Sequence, residues 1–156
     1  MQGSDSLEFD QARQRRLSCL ASADAKALVQ FWSDLDIDPT FEVVRGPEYG
    51  LVGLRGCVGG AGSKFNFGEA SATRASVRLE NGSVGHSMVL GRDKTKAKLA
   101  AVIDALCQAG EHVEQIDQLV IKPLSRKQQL RDEKRAAETA ATKVDFFTMV
   151  RGDPDD

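Results

Sequence analysis

Eleven of the 14 glycines lie between Gly46 and Gly91, and no other feature restricts the fold as much. Glycine costs roughly 0.5–1 kcal/mol in a helix interior, so helices are expected only in the flanks, which are rich in Ala, Leu and charge. The expected class is α+β. N-terminal helices lead into a four-stranded, mainly antiparallel sheet, followed by C-terminal helices with a projecting arm and an apolar tail. The 156 residues suit a single α+β domain over 1–122 and a helical arm with a partner-docking tail over 123–156.

Asp5 and Glu8 form a capping-box pattern for a first helix reaching Leu20. Arg13, Arg15 and Arg16 read as its solvated or partner-facing side. A second helix, Asp24 to Leu35, places Leu28, Phe31, Trp32 and Leu35 on one face, with Trp32 in the core. Thr40–Arg45 reads as a strand, Gly46–Gly50 as a turn, and Leu51–Val58 as a second strand. Lys64–Leu79 is extended, with a break near Gly68-Glu69. Its Ala75, Val77 and Leu79 point one way, and Arg74, Ser76 and Arg78 the other. Asn81-Gly82 signals a two-residue hairpin. The return strand, Ser83–Leu90, puts Val84, His86, Met88 and Leu90 on its apolar face. Asp93 caps a third helix to Ala109, stopped by Gly110, with a stripe of Leu99, Val102, Ile103 and Leu106. A weaker helical stretch runs to Pro123. Ser125 and Gln128 then form a capping box for a polar fourth helix to Thr142, whose single large apolar residue is Leu130.

The formal charge of −2 and pI near 5.7 argue against a nucleic-acid binder. No apolar run approaches the roughly 18 residues of a membrane span, and the N-terminus lacks the pattern of a signal peptide. A cytoplasmic location is expected. Cys19, Cys57 and Cys107 are too scattered for a disulfide framework or a zinc site, and read as buried small hydrophobes. No metal site is expected.

The Gly59–Gly62 loop, followed by Ser63 and Lys64, invites comparison with phosphate loops. It fails both the Gly-Lys-Ser/Thr spacing and the dinucleotide pattern, since Phe65 occupies the third glycine's place. An inter-strand loop is the stronger reading, with phosphate binding its rival. Arg74 and Arg78 on one strand, with Arg92 and Lys94 at the start of the third helix, are the anion-contact candidates. The alternative pairs them with Glu69, Glu80 and Asp93. His86 reads as a core or interface histidine, and Asp104 and Glu111 as solvated. No catalytic residue emerges. The residues describe a protein-binding module, with a stand-alone phosphate- or nucleotide-binding protein as the alternative.

Lys143 to Asp153 reads Lys-Val-Asp-Phe-Phe-Thr-Met-Val-Arg-Gly-Asp. Chain ends are usually polar, and burying each Phe contributes roughly 1.5–3 kcal/mol. Such a terminus is expected to be buried either on the protein's own core or on another protein, and in the second case Phe146, Phe147, Met149, Val150 and Arg151 are the subunit-interface candidates.

Three blocks together resemble the PhnG family, the G subunit of the bacterial carbon–phosphorus lyase core complex. One is Gly59–Gly62 with Phe65, Gly68-Glu69, Thr73-Arg74 and Val77–Leu79. Another is Gly82, Gly85, Gly91–Lys94 and Asp104–Leu106. The last is the tail, Val144–Asp153. The resemblance spans about Leu17 to Asp153. It implies a complex with H, I and J subunits, two copies of each, to which ATPase-like K and L subunits attach. It also implies a reaction in which a phosphonate displaces adenine from MgATP, giving an alpha-D-ribose 1-phosphonate 5-triphosphate. The glycosyl transfer is attributed to I, with G required, and the radical C–P cleavage to J. MgATP would be a substrate of the complex, with no cofactor bound by this chain alone. The tail and the helix before it are expected on a neighbouring subunit, I foremost. The resemblance carries no catalytic residue onto this sequence.

Overall fold

The structure, a computed structural model, describes residues 2–57 and 62–141, with side chains from residue 7 onward. Helices α1 (Gln2–Ser22) and α2 (Ala25–Ser33) precede strands β1 (Phe41–Cys57), β2 (Lys64–Leu79) and β3 (Val84–Leu90). Helix α3 (Lys94–Ala109), a short α4 (Val113–Ile116), a π-helical stretch (Asp117–Ile121) and α5 (Lys122–Ala141) complete the order. The class is α+β, as expected. No helix among the described residues is long and apolar enough to cross a membrane.

The sheet has three strands, not four, in the antiparallel order β1-β2-β3. The expected turn at Gly46–Gly50 is continuous strand. Arg45 pairs with Ser76 and Glu48 with Arg74, so Gly46 and Pro47 together oppose the single residue Ala75. A bulge on an edge strand accommodates a proline that has no N–H for the ladder. The register also shifts at Val44, between the pairs Val43–Val77 and Arg45–Ser76, and a further bulge falls at Phe67, where Leu54 pairs with Gly68 and Arg55 with Asn66. The bulge at Phe67 explains the break read near Gly68-Glu69. Asn81-Gly82 does close the β2–β3 hairpin, but with three loop residues. Leu79 N–H donates to the Ser83 carbonyl, and Gly82 adopts φ 87°, the left-handed position such a loop requires.

The phase of β3 is the reverse of the expected one. Gly85, Ser87 and Val89 are buried, while His86, Met88 and Leu90 are exposed. Close approach of α3 is the cause. A Cβ at Gly85 would fall on the Ala101 carbonyl oxygen and the Ala105 nitrogen, and 2.8 Å from Ala105 Cα. Ser87 Oγ donates to the Ala97 carbonyl at 2.6 Å. Small residues on strand and helix permit the contact, and larger apolar side chains are turned outward. On β2 the expected alternation holds: Ala75, Val77 and Leu79 are buried.

Ten of the 16 residues of α3 are buried, so the helix is covered on more than one side. The sheet lies on one side, and α1, α2 and α4 pack around it. Asp93 caps it by accepting from Lys96 N–H at 2.8 Å, and Gly110 ends it at φ 75°, as expected. Asp24 likewise caps α2, accepting from Ala27 N–H at 3.0 Å. Trp32 is half-buried against the core. Asp5 lies inside α1 rather than at its start.

Ser125 is not a cap either, since α5 has already begun at Lys122. Proline removes an N–H and collides with the carbonyl four residues back. Here the π-helical turn before Pro123 lets the helix pass through it. Leu124 is buried, but residues 129–141 are all exposed. The Gly59–Gly62 loop lies outside the described residues except for Gly62, and the tail Phe146–Arg151 lies outside them entirely.

Candidate functional site

Arg74 and Arg78 stand on the outer face of the sheet, which no helix covers among the described residues. Glu42 pairs with Arg78 and Glu48 with Arg74 in the strand register. Arg78 Nη1 donates to Glu42 Oε1 at 2.7 Å, and Arg74 Nε to Glu48 Oε1 at 2.9 Å. Arg45 Nε reaches the same Glu48 oxygen at 2.6 Å. Arg45 and Arg74 hold the Glu48 carboxyl below its ordinary pKa. Between the two arginines, Ser76 Oγ lies 2.9 Å from His86 Nδ1. The expected acidic partners Glu69, Glu80 and Asp93 are replaced by two glutamates of β1, a strand whose length the sequence did not reveal.

Arg92 and Lys94 are brought together elsewhere. The Arg92 guanidinium lies 5.3 Å from the Tyr49 ring centre, and Lys94 Nζ 5.8 Å from it, within cation–π range. Tyr49 pairs with buried Thr73, whose Oγ1 donates to the Gly91 carbonyl at 2.7 Å. Alternation puts Tyr49 on the opposite face of the sheet from Glu48 and Arg74. The four anion-contact candidates thus form two pairs on two faces.

The charges that the sequence left on the surface are partly internal. Asp104, 4% exposed, receives Arg13 Nε at 3.0 Å and Nη2 at 2.8 Å. Its Oδ2 also accepts the His86 backbone N–H at 2.9 Å. One carboxylate thereby ties α1, α3 and β3 together. Arg16 makes a second bidentate pair with Asp117, at 2.7 and 2.9 Å. Hydrogen bonds to these carboxylates raise both arginine pKa values. Arg15 is exposed, as expected, and so is Glu111, which accepts from Asn81. Buried Lys96 donates to the Ala21 and Ala23 carbonyls at 2.7 and 2.6 Å, where the end of α1 leaves acceptors unpaired. Burial lowers its pKa. The overlooked signal for Asp104 was an acid embedded in Val102-Ile103-Asp104-Ala105-Leu106.

Between α1 and β3 runs a groove of about 580 Å³. Leu17, Ala21, Met88, Val89 and Ala100 form its apolar walls, with Asp10, Gln14, Ser18 and His86 among its polar residues. His86 is therefore an exposed residue of the outer face and groove, not a core one. The far ends of β1 and β2 form an exposed ribbon bearing Leu51, Phe65 and Phe67. Cys57 is exposed on it, whereas Cys19 and Cys107 are buried. Burial pushes the Cys107 thiol up to about 11. Among the described residues no group of His, Cys, Asp and Glu is arranged to hold a metal ion.

Comparison with known proteins bears on this surface-rich chain. A family model described as "Phosphonate metabolism protein PhnG" matches residues 11–152. A protein of Rhizobium meliloti (strain 1021), alpha-D-ribose 1-methylphosphonate 5-triphosphate synthase subunit PhnG, is 46% identical over 141 residues, covering 90% of each chain.

Proposed function

Because the chain belongs to the PhnG family of phosphonate-metabolism proteins, we propose that it is an accessory, non-catalytic subunit of the carbon–phosphorus lyase core complex. In this reading the complex displaces adenine from MgATP with a phosphonate and releases an alpha-D-ribose 1-(alkyl)phosphonate 5-triphosphate. The observation that carries it is the 46% identity, over 90% of both chains, to a named synthase subunit. Partners are the H, I and J subunits, with I in direct contact and the K and L subunits attached indirectly. The work takes place in the cytoplasm. Residues 1–122 act as the domain and 123–156 as the docking arm and tail.

The described surface supports a role in assembly. An uncovered sheet face, an exposed ribbon with two phenylalanines and a bare helix are what a subunit presents to neighbours. The stand-alone phosphate- or nucleotide-binding alternative finds less support. Arg74 and Arg78 are already engaged by glutamates, and they stand on the opposite sheet face from Arg92 and Lys94.

The test is co-expression of this chain with the H, I and J subunits. Adenine release from MgATP and methylphosphonate is measured with and without it. Release that depends on the chain, from a stoichiometric complex, is the expected result. Equal release in its absence, or failure to co-purify, would overturn the reading.

A further inference from the structure

Strand β3 pairs only with residues 72–78 of β2, whereas β1 and β2 stay paired out to Cys57 and Lys64. Residues 51–57 and 64–71 therefore form a ribbon of two strands. Two strands alone are marginally stable in water and gain from a layer packed on an apolar face. Alternation puts Gly50, Val52, Leu54 and Gly56 on the outer face with Glu48. Their partners are Ala72, Ala70, Gly68 and Phe65, and β3 adds Leu90 beside Ala72 and Met88 beside Arg74. Beyond the Glu48–Arg74 ion pair, none of these residues is charged.

One end of this stretch is hollow. Glu48, Gly50, Val52, Ala72, Arg74 and Met88 line a depression of about 250 Å³. A cavity of roughly 150 Å³ accepts a benzene ring, so this one has room for a phenylalanine side chain. Its floor is glycine and alanine. Its walls offer a thioether and a guanidinium, groups that attract aromatic rings. The other end projects. Phe65 and Phe67 are 46% and 59% exposed, with ring centres 6.2 Å apart. Phe67 lies over Gly56, where a Cβ would fall 3.1 Å from its Cε1. Gly56 lies six positions beyond Gly50, about 20 Å along the strand. Neither ring reaches the hollow of its own chain.

We propose that the outer sheet faces of two copies pack on one another, with Phe65 and Phe67 of each seated in the Gly50 hollow of the other. A projection and a matching hollow on one face are what a self-complementary twofold pair requires. The axis lies between the two faces and crosses the strands at the level of Gly53. Val52 and Leu54 then meet Leu54 and Val52 of the second copy, and the Arg78–Glu42 ion pair stays outside the overlap. The overlapping stretch is about 27 Å long and about 10–14 Å wide. That is small for a stable interface, so the pair is reversible and depends on concentration. It is a property of this chain alone and does not rest on the proposed complex.

Sedimentation equilibrium of the full chain over about 1–200 µM tests this. The mass should climb from 16.9 kDa toward twice that value. Gly50→Val fills the hollow, and a Cβ there meets nothing within 4 Å in the chain itself. Phe67→Ala removes the projection. Each should weaken association by about tenfold or more. Gly53→Val, on the opposite face of the same strand and equally unobstructed, should associate as the unaltered chain does. Unchanged circular dichroism checks the fold of each variant. A chain that stays monomeric throughout, a smaller effect of Gly50→Val or Phe67→Ala, or an equal loss in Gly53→Val would each overturn the proposal.

Discussion

Arg13 and Asp104, 91 residues apart in sequence, meet in a bidentate pair of 3.0 and 2.8 Å that also anchors the His86 backbone. Removing one partner of such a pair leaves a buried charge uncompensated, which costs about 3 kcal/mol or more. Arg13→Ala should therefore lower unfolding stability by about that much. Asp104→Asn should lower it less, because the amide oxygen can still accept from His86 N–H. Urea denaturation of the two variants checks the order.

Gly85 and Gly53 make a matched pair of probes. A methyl at Gly85 would drive into the backbone of α3, whereas one at Gly53 meets nothing within 4 Å. Gly85→Ala should destabilise by about 3 kcal/mol, or leave the protein unfolded, and Gly53→Ala should change stability by no more than about 0.5 kcal/mol. Thermal unfolding of both variants separates steric exclusion from a general effect of replacing glycine in a strand.

The three cysteines should react in two classes. Cys57 is exposed, and Cys19 and Cys107 are buried with thiols raised by burial. A thiol reagent at pH 8 should modify Cys57 quickly and the other two only on unfolding. The same burial fixes a pH dependence. The folded pKa of Cys107, about 11, lies above its ordinary 9.0, so the native state keeps the proton longer. Its stabilising contribution is complete below pH 9 and is lost as pH rises through about 11, by at most about 3 kcal/mol. Cys107→Ala should flatten that part of the stability–pH curve.

Arg74→Ala and Arg78→Ala should leave the denaturation midpoint essentially unchanged, because exposed ion pairs contribute little. Loss of adenine release from the assembled complex in either variant would then report a contact made by that arginine. Unchanged release would remove both from the anion-contact candidates.

What could be read from the sequence followed physical periodicity. The helical flanks, the Asp93 cap, the Gly110 stop and the inward face of β2 each rest on a local rule that tertiary packing did not oppose. Where it failed, a neighbour distant in sequence decided the outcome. β3 inverted because α3 approaches closely enough to demand Gly85 and Ser87 on its side, and hydrophobicity alone ranks Met88 and Leu90 as the inner set. Pro47 and Pro123 read as breaks, yet a bulge and a π-helical turn carry the chain through both. At the candidate site, Arg74 and Arg78 were found on the face expected of them. Their partners came from β1, whose continuity past Gly46 no local signal records. Asp104 escaped notice because its partner lies on α1.

The polar contacts that fix α1 have a consequence for the order of events during synthesis. Arg13, Arg16, Cys19 and the carbonyls of Ala21, Ser22 and Ala23 are all met by residues between Lys96 and Arg131. Among the described residues, these polar groups of α1 therefore meet no docking partner until the chain has been made at least as far as Lys96. The helix is translated before every residue that secures it through these bonds.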